Sequence, residues 1–240
     1  PHQQSFQSLH HQTVIPNLLK LMEDTVNCRV QAHGAAALVN FCEHATKDVL
    51  APYLNDILTR LGAMLQSPFK IVLEQTVTAI ATVADSSEKL FQTYYPHFMP
   101  LLKQILVTAN DPKYRLLRGK TMECISLIGI AVGKEVFAAD AADVMGVLQQ
   151  SQVAGMEDDD PQISYMLAAW ARMCEILGTD FMPYLQYVMP PLIKSVQLEA
   201  KVIFLDTDDN EDELDGGAEN WEVVPVADDK RIGIKTSILE

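Results

Sequence analysis

The chain has 240 residues, of which 48% are hydrophobic and 21% charged, a composition that can bury a core and that excludes disorder over most of its length. No run reaches the roughly 18 apolar residues of a membrane span, and the first residues lack a signal sequence, so we predict a protein that is neither membrane-spanning nor secreted. Fifteen of the 32 acidic residues lie in 157–160 and 205–229, which leaves 17 against 18 Lys and Arg, and the net charge of −14 favours basic partners over nucleic acid.

The first predicted element is a helix pair within residues 12–46. Apolar residues recur at helical spacing over 14–22 and again over 29–41, with a polar turn at 23–27 between the two helices. The core stripe of the second helix consists of Val30, Gly34, Ala37, Leu38 and Phe41.

The same pattern returns within 51–86, 94–133 and 138–178. The second helices repeat the core stripe at Val72, Thr76, Ala79, Ile80 and Val83, and at Leu117, Thr121, Cys124, Ile125 and Ile128. Helix pairs that recur at this spacing are typical of HEAT arrays. We therefore predict an all-α fold, an α-α superhelix of antiparallel helix pairs. Prolines are predicted near the starts of the first helices, at Pro16, Pro52, Pro96, Pro100, Pro183 and Pro190.

A fifth pair, predicted within 181–240, is interrupted by acidic sequence. Its first helix covers 184–196, residues 205–229 form an acidic loop, and apolar periodicity resumes from Ile232 as a second helix. We expect the whole of 1–240 to be one array. Because no further helix covers that apolar stripe, we expect this array to be a segment of a longer one, cut at both ends. The acidic-loop residues considered for binding are Asp206, Asp208, Asp209, Glu211, Asp212, Glu213 and Asp215. A loop that only keeps the protein soluble is the alternative.

No motif for catalysis or for a cofactor is present in the sequence. Gly119, Lys120 and Thr121 match the end of a P-loop, but Tyr114 replaces its first glycine. The acidic loop has the first alternate ligands of a calcium loop but carries Glu211 where glycine is required. No histidine pair has zinc spacing and no nucleophile has an identifiable base, so we predict neither an enzyme nor a metal site. The cysteines, Cys28, Cys42, Cys124 and Cys174, lack CxxC spacing and are predicted to be core residues.

A polar stripe lies opposite the core on the second helices, which line the concave face of such arrays. We define the polar stripe as Asn40, Glu43, Gln75, Thr82, Asp85 and Glu123. Its carboxylates suit lysine head groups and its amides suit a peptide backbone, so we predict an extended basic peptide as ligand. The alternative is an ordinary solvated face. Tyr165 and Trp170 are either core residues or part of an apolar pocket on the same face.

Six strings, at 29–33, 116–121, 123–129, 156–165, 169–174 and 221–222, carry a resemblance that covers nearly the whole chain. Together they resemble the karyopherin-β family. The resemblance implies a receptor that binds nuclear localisation signals or basic cargo such as ribosomal proteins and histones, docks on phenylalanine-glycine nucleoporins, and releases cargo to Ran-GTP.

The resemblance also implies cargo contacts at Asn40 and Glu43, and further contacts at Asp85 and Glu123, with Ran bound mostly outside this segment. We expect a monomer, without a cofactor, that shuttles between the cytoplasm and the nucleus. The alternative function is a HEAT scaffold that holds folded partners together.

Overall fold

The computed structural model describes residues 2–153, 160–196, 202–206, 221–227 and 230–235. Within these ranges the helices are α1 (His2–Met22), α2 (Cys28–Cys42), α3 (Lys47–Leu50), α4 (Leu54–Met64), α5 (Lys70–Ser87), α6 (Tyr95–Thr108), α7 (Arg115–Val132), α8 (Lys134–Val153), α9 (Gln162–Leu177) and α10 (Leu185–Val196). The strands are β1 (Val202–Asp206), β2 (Trp221–Ala227) and β3 (Lys230–Lys235). The chain divides into two compact units, one with α1–α9 up to Pro183 and one with α10 and the strands.

The first unit is a stack of helix pairs. Each of α1, α4, α6 and α8 packs against the next long helix in the chain, and α2, α5, α7 and α9 pack against one another in that order. The predicted all-α HEAT fold is confirmed by this stack. Whether the whole of 1–240 forms a single array stays a prediction.

The predicted core stripes of α5 and α7 are buried throughout, and each contains one threonine. Thr76 and Thr121 are fully buried, and their hydroxyls donate to the carbonyls of Val72 (2.6 Å) and Leu117 (2.7 Å), one turn earlier in the same helix. A buried hydroxyl is tolerated when its own helix provides the acceptor. In α2, by contrast, Val30 and Ala37 of the predicted stripe are only half-buried.

Three prolines lie deeper in helices than predicted. Because α1 begins at His2, Pro16 lies well inside it, and Pro100 and Pro190 lie inside α6 and α10. An interior proline removes one backbone donor, so the prediction of first-turn positions is wrong for these three. Beside Pro16, the Asn17 Nδ2 donates to the carbonyl of Thr13 at 2.8 Å, which gives that region of the helix an additional hydrogen bond.

The prediction that all four cysteines are core residues is wrong for Cys174, which is exposed on α9. Cys42 and Cys124 are fully buried and Cys28 is half-buried. Burial raises the pKa of the Cys42 thiol to about 12 and that of Cys124 further, so both thiols stay protonated at neutral pH.

The second unit contains an antiparallel sheet in the order β1-β3-β2. Ile232 of β3 pairs with Phe204 of β1 and with Val224 of β2. The prediction of a helix that starts at Ile232 is therefore wrong: β-branched residues alternate around Gly233, which is the spacing of a strand. The predicted acidic loop is partly strand, since Asp206 belongs to β1 and residues 221–227 form β2, while Asp208 to Asp215 lie outside the described residues.

Candidate peptide-binding face

Asn27 determines where α2 begins and therefore which of its side chains face solvent. The Asn27 backbone is extended, and its side-chain oxygen accepts hydrogen bonds from the amides of Arg29 (3.1 Å) and Val30 (3.3 Å). This is the geometry of an N-cap, which satisfies two donors of the first turn. With that start, Leu38 is fully buried and Asn40 is exposed.

Glu43 and Asp85 place exposed carboxylates at the ends of α2 and α5. Glu43 follows the last residue of α2, and its backbone N–H donates to the carbonyl of Val39 at 3.0 Å. Its negative charge thus lies at the negative end of the helix dipole, an arrangement that a nearby cation relieves. Asp85 is exposed in the last turn of α5. Within the described residues neither carboxylate forms an ion pair, so both can receive a cationic side chain.

The other two stripe residues of α5 are less accessible. Gln75 and Thr82 are half-buried, and the Thr82 hydroxyl donates to the carbonyl of Thr78 at 3.2 Å. The Thr82 hydroxyl therefore donates its hydrogen bond within its own helix. Of the stripe residues on α5, Asp85 is the one best placed to bind a basic group.

The register of the core residues shows how the carboxylates are related. Leu38, Ile80, Ile125 and Trp170 are all buried and occupy equivalent positions of α2, α5, α7 and α9. In this register Glu43 and Asp85 are equivalent, whereas the corresponding residue of α7 is Ile130. The row of carboxylates is thus interrupted at α7.

Glu123 of α7 lies two turns before Ile130 and is already paired. The Arg172 Nη2 on α9 lies 3.5 Å from the Glu123 Oε1, and the Arg172 Nη1 donates to the Ser126 Oγ at 3.3 Å. The structure therefore separates the predicted residues into two groups: Asn40, Glu43 and Asp85 are exposed, while Glu123 contacts a cation from the same chain.

Tyr165 lies beside this pair because Gly119 makes room for it. A Cβ on Gly119 would lie 2.7 Å from the Tyr165 Cδ2, so only glycine allows this contact between α7 and α9. Burial, and then the negative charges of Glu123 and Glu74, raise the pKa of the Tyr165 phenol. The sequence alone does not decide between the two predicted roles of Tyr165, and it did not predict Glu74 as a neighbour of Tyr165 or Arg172 as the partner of Glu123; the glycine in the middle of α7 was the available signal.

Trp170 is a core residue rather than part of a pocket. It is 2% exposed, and its indole N–H donates to the Gln152 Oε1 at 3.0 Å. Its ring meets Phe181 edge-on, with 6.0 Å between the ring centroids. The core interpretation of this residue is thus confirmed.

Asp160, the last residue of the first acidic patch, has a structural role. Its carboxylate is buried, lies 3.4 Å from the Arg115 Nε, and accepts a hydrogen bond from the backbone amide of Gln162 at 2.8 Å. It therefore joins the start of α9 to the start of α7 and is not available to a partner.

The other sites considered from the sequence are for nucleotide, metal and membrane binding. Thr121 of the partial P-loop match is buried and bonded to its own helix. No group of three or more His, Cys, Asp or Glu in the described ranges could hold a metal ion. Among the described helices, none has the length and apolarity needed to cross a membrane.

The known proteins that this chain resembles in sequence are importins. No family model matches the chain. The importin subunit beta-3 of Saccharomyces cerevisiae is 40% identical over 232 residues, which is 96% of this chain and 21% of that protein. A probable importin-5 homolog of Dictyostelium discoideum is 33% identical over 159 residues, 66% of this chain and 15% of that protein.

Solved structures agree with these relatives. Kap121p bound to Pho4p superimposes with a TM-score of 0.83 at 38% identity and covers 98% of this chain, which matches 22% of Kap121p. Kap121p bound to Nup53p gives 0.82 at the same identity and coverage. The chain spans about a fifth of the length of these proteins. By its sequence strings, its helix-pair stack and these relatives, the chain belongs to the karyopherin-β family of importins, whose members are transport receptors and not enzymes.

Proposed function

We propose that this chain is the part of a nuclear import receptor that binds an extended basic segment of cargo along α2 and α5. The observation that carries the proposal is the pair Glu43 and Asp85, two exposed carboxylates in equivalent positions of neighbouring helices, with the amide of Asn40 beside the first. Kap121p, which this chain resembles over 22% of its length, has been solved bound to Pho4p, Nup53p and Ste12p, and these complexes support the binding of protein partners by such a receptor.

The spacing of the carboxylates suggests what such a segment looks like. Packed helices lie roughly 8–10 Å apart, and an extended chain advances about 3.3–3.6 Å per residue. Basic residues about three positions apart would therefore meet Glu43 and Asp85 in turn. Because one exposed ion pair contributes only about 0–1 kcal/mol, several such contacts have to act together.

The activity of the whole receptor is part of the same proposal. Family membership supports loading of basic cargo such as ribosomal proteins and histones in the cytoplasm, passage along phenylalanine-glycine nucleoporins, and release to Ran-GTP in the nucleus. Ran would bind mainly through repeats outside this segment. The receptor would act as a monomer that shuttles through the pore, and the acidic loop would attract basic cargo to it.

The test is neutralisation of the two free carboxylates in the full-length protein. We expect Glu43→Gln with Asp85→Asn to weaken binding of a fluorescent peptide with lysines three residues apart by about five- to thirtyfold, measured by anisotropy. The matched control is Asp56→Asn with Glu135→Gln, which makes the same charge change on α4 and α8 and should leave the affinity within about twofold.

Salt provides a second measurement on the same proteins. Affinity of the unaltered receptor should fall as salt rises, and the double variant should show a shallower dependence. Equal affinities of the double variant and the unaltered protein, or salt-tolerant capture of a folded partner, would refute peptide binding at this face and favour a scaffold.

A further inference from the structure

The third carboxylate of the polar stripe differs from the first two in having a partner. Arg172 reaches from α9 to Glu123 on α7 at 3.5 Å and also donates to the Ser126 Oγ at 3.3 Å. The Ser126 hydroxyl in turn donates to the carbonyl of Glu123 at 2.7 Å. The guanidinium is thus held at two points on α7, the half-buried carboxylate of Glu123 and the buried hydroxyl of Ser126.

Arg172 occupies a position that is neutral elsewhere in the stack. In the register of the core residues, its equivalents are Asn40 on α2, Thr82 on α5 and Leu127 on α7. Only in α9, among these four helices, does the position carry a cation. Charge at this position therefore changes from one end of the stack to the other.

The ion pair is weak enough to be displaced. The Arg172 and Glu123 side chains are 26% and 31% exposed, and the separation of 3.5 Å is long for a charge-assisted hydrogen bond. A pair in this environment contributes little net stability, so an incoming cation can replace Arg172 without exposing a buried charge.

A second cation lies near Glu123 on its own helix, since Lys120 precedes Glu123 by one turn of α7. Glu175 of α9, which is equivalent to Glu43 and Asp85 in the register of the core residues, is exposed and forms no ion pair within the described residues. Neutralisation from within the chain is therefore a property of Glu123 and not of the whole surface of α7 and α9.

We infer that Arg172 is an internal competitor whose guanidinium occupies the Glu123 carboxylate that a lysine or arginine of a bound segment would otherwise take. This inference rests on the proposed function. It separates the open carboxylates Glu43 and Asp85 from the neutralised carboxylate Glu123, and it assigns to Arg172 the selection against segments that rely on a basic contact with Glu123.

The test uses the full-length receptor and two peptides, one with two lysines three residues apart and one extended by a third lysine about four residues further along, because Glu123 lies two turns, about 10 Å, from the α7 position that is in register with Asp85. Arg172→Gln should bind the three-lysine peptide about two- to fivefold more tightly than the unaltered protein, with no gain for the two-lysine peptide. Arg172→Lys, which keeps the charge, should stay close to the unaltered protein.

A double-mutant cycle with Glu123→Gln separates the pair from the change in overall charge. Glu123→Gln alone should have little effect, and added to Arg172→Gln it should remove the gain. Ser126→Ala, which removes the second anchor of the guanidinium, should give a smaller gain in the same direction and serves if Arg172→Gln fails to fold.

Two failures are distinguishable. If neutralising Glu43 and Asp85 weakens the peptide but Arg172→Gln and Ser126→Ala leave the three-lysine affinity unchanged or lower, the inference about Arg172 is wrong. If the Glu43 and Asp85 variant is also unchanged, the proposed function itself is wrong.

Discussion

Glu88, Gly133 and Gly178 follow α5, α7 and α9 in equivalent positions, 45 residues apart, and all three have positive φ. The two glycines, at φ of 82° and 59°, adopt this conformation without a Cβ clash. Glu88 has φ 51° and ψ −132°, a region that is costly for a residue with a side chain. An exposed ion pair between Glu88 Oε2 and Lys47 Nζ, at 3.1 Å, contributes little against that strain.

Replacing Glu88 by glycine should therefore stabilise the protein. Relief of backbone strain of about 1–2 kcal/mol exceeds the added unfolded-state entropy and the lost ion pair, so we expect a net gain of about 0.5–1 kcal/mol. Urea unfolding of Glu88→Gly and Glu88→Ala tests this, since both lack the ion pair but only glycine relieves the strain. An alanine variant as stable as the glycine variant would contradict the strain argument.

At the scale of helices, a polar cluster joins α6 to α8. Lys103 Nζ lies 2.6 Å from Asp140 Oδ1 and 2.9 Å from Asp143 Oδ2, and the Tyr95 hydroxyl donates to Asp140 Oδ2 at 2.7 Å. Burial by itself would raise the pKa of Asp140, but the hydrogen bonds from Lys103 and Tyr95 outweigh it and hold the pKa below its usual range. The cluster therefore favours the charged carboxylate.

Because that pKa is lower in the folded state, Asp140 stabilises the fold above pH 4 or so, and the contribution is lost as pH falls through the folded value. Asp140→Asn should lower the free energy of unfolding by about 1–2 kcal/mol at pH 7, and the difference from the unaltered protein should shrink below about pH 4. Asp143→Asn, whose side chain is 68% exposed, is the control and should cost under about 0.5 kcal/mol. A pH-independent loss in Asp140→Asn would indicate packing instead of charge.

The helices were predictable from the sequence where one face is buried over many turns. Burial of one helix face requires apolar residues at a period of 3.6. The sequence displays this period from Val72 to Val83, and the stripe is buried in the structure. The strand β3 was missed because it has only six residues, and Ile232 and Ile234 could be joined to the apolar residues after them. The Glu123–Arg172 pair could not be predicted because its partners are 49 residues apart and meet only through the packing of α7 on α9.

At the scale of the whole molecule, charge is distributed unevenly. Eleven acidic residues and no basic ones lie in 205–229, while the helix pairs before them are close to neutral outside 157–160. A concentrated negative charge attracts a basic segment over about one Debye length, roughly 10 Å at 0.1 M salt. Such a charge acts on the rate of encounter more than on the lifetime of the complex.

Neutralising Asp208, Asp209, Glu211, Asp212, Glu213 and Asp215 together should therefore slow association of a lysine-rich peptide by about tenfold at low salt, with dissociation unchanged and the difference lost near 1 M salt. Stopped-flow fluorescence on the full-length receptor measures both rates. Faster dissociation in the variant would mean that the acidic residues contact bound cargo, and unchanged association would leave them only a role in solubility. Since Glu43→Gln with Asp85→Asn should chiefly accelerate dissociation, the two variants together separate how cargo is attracted from how it is held.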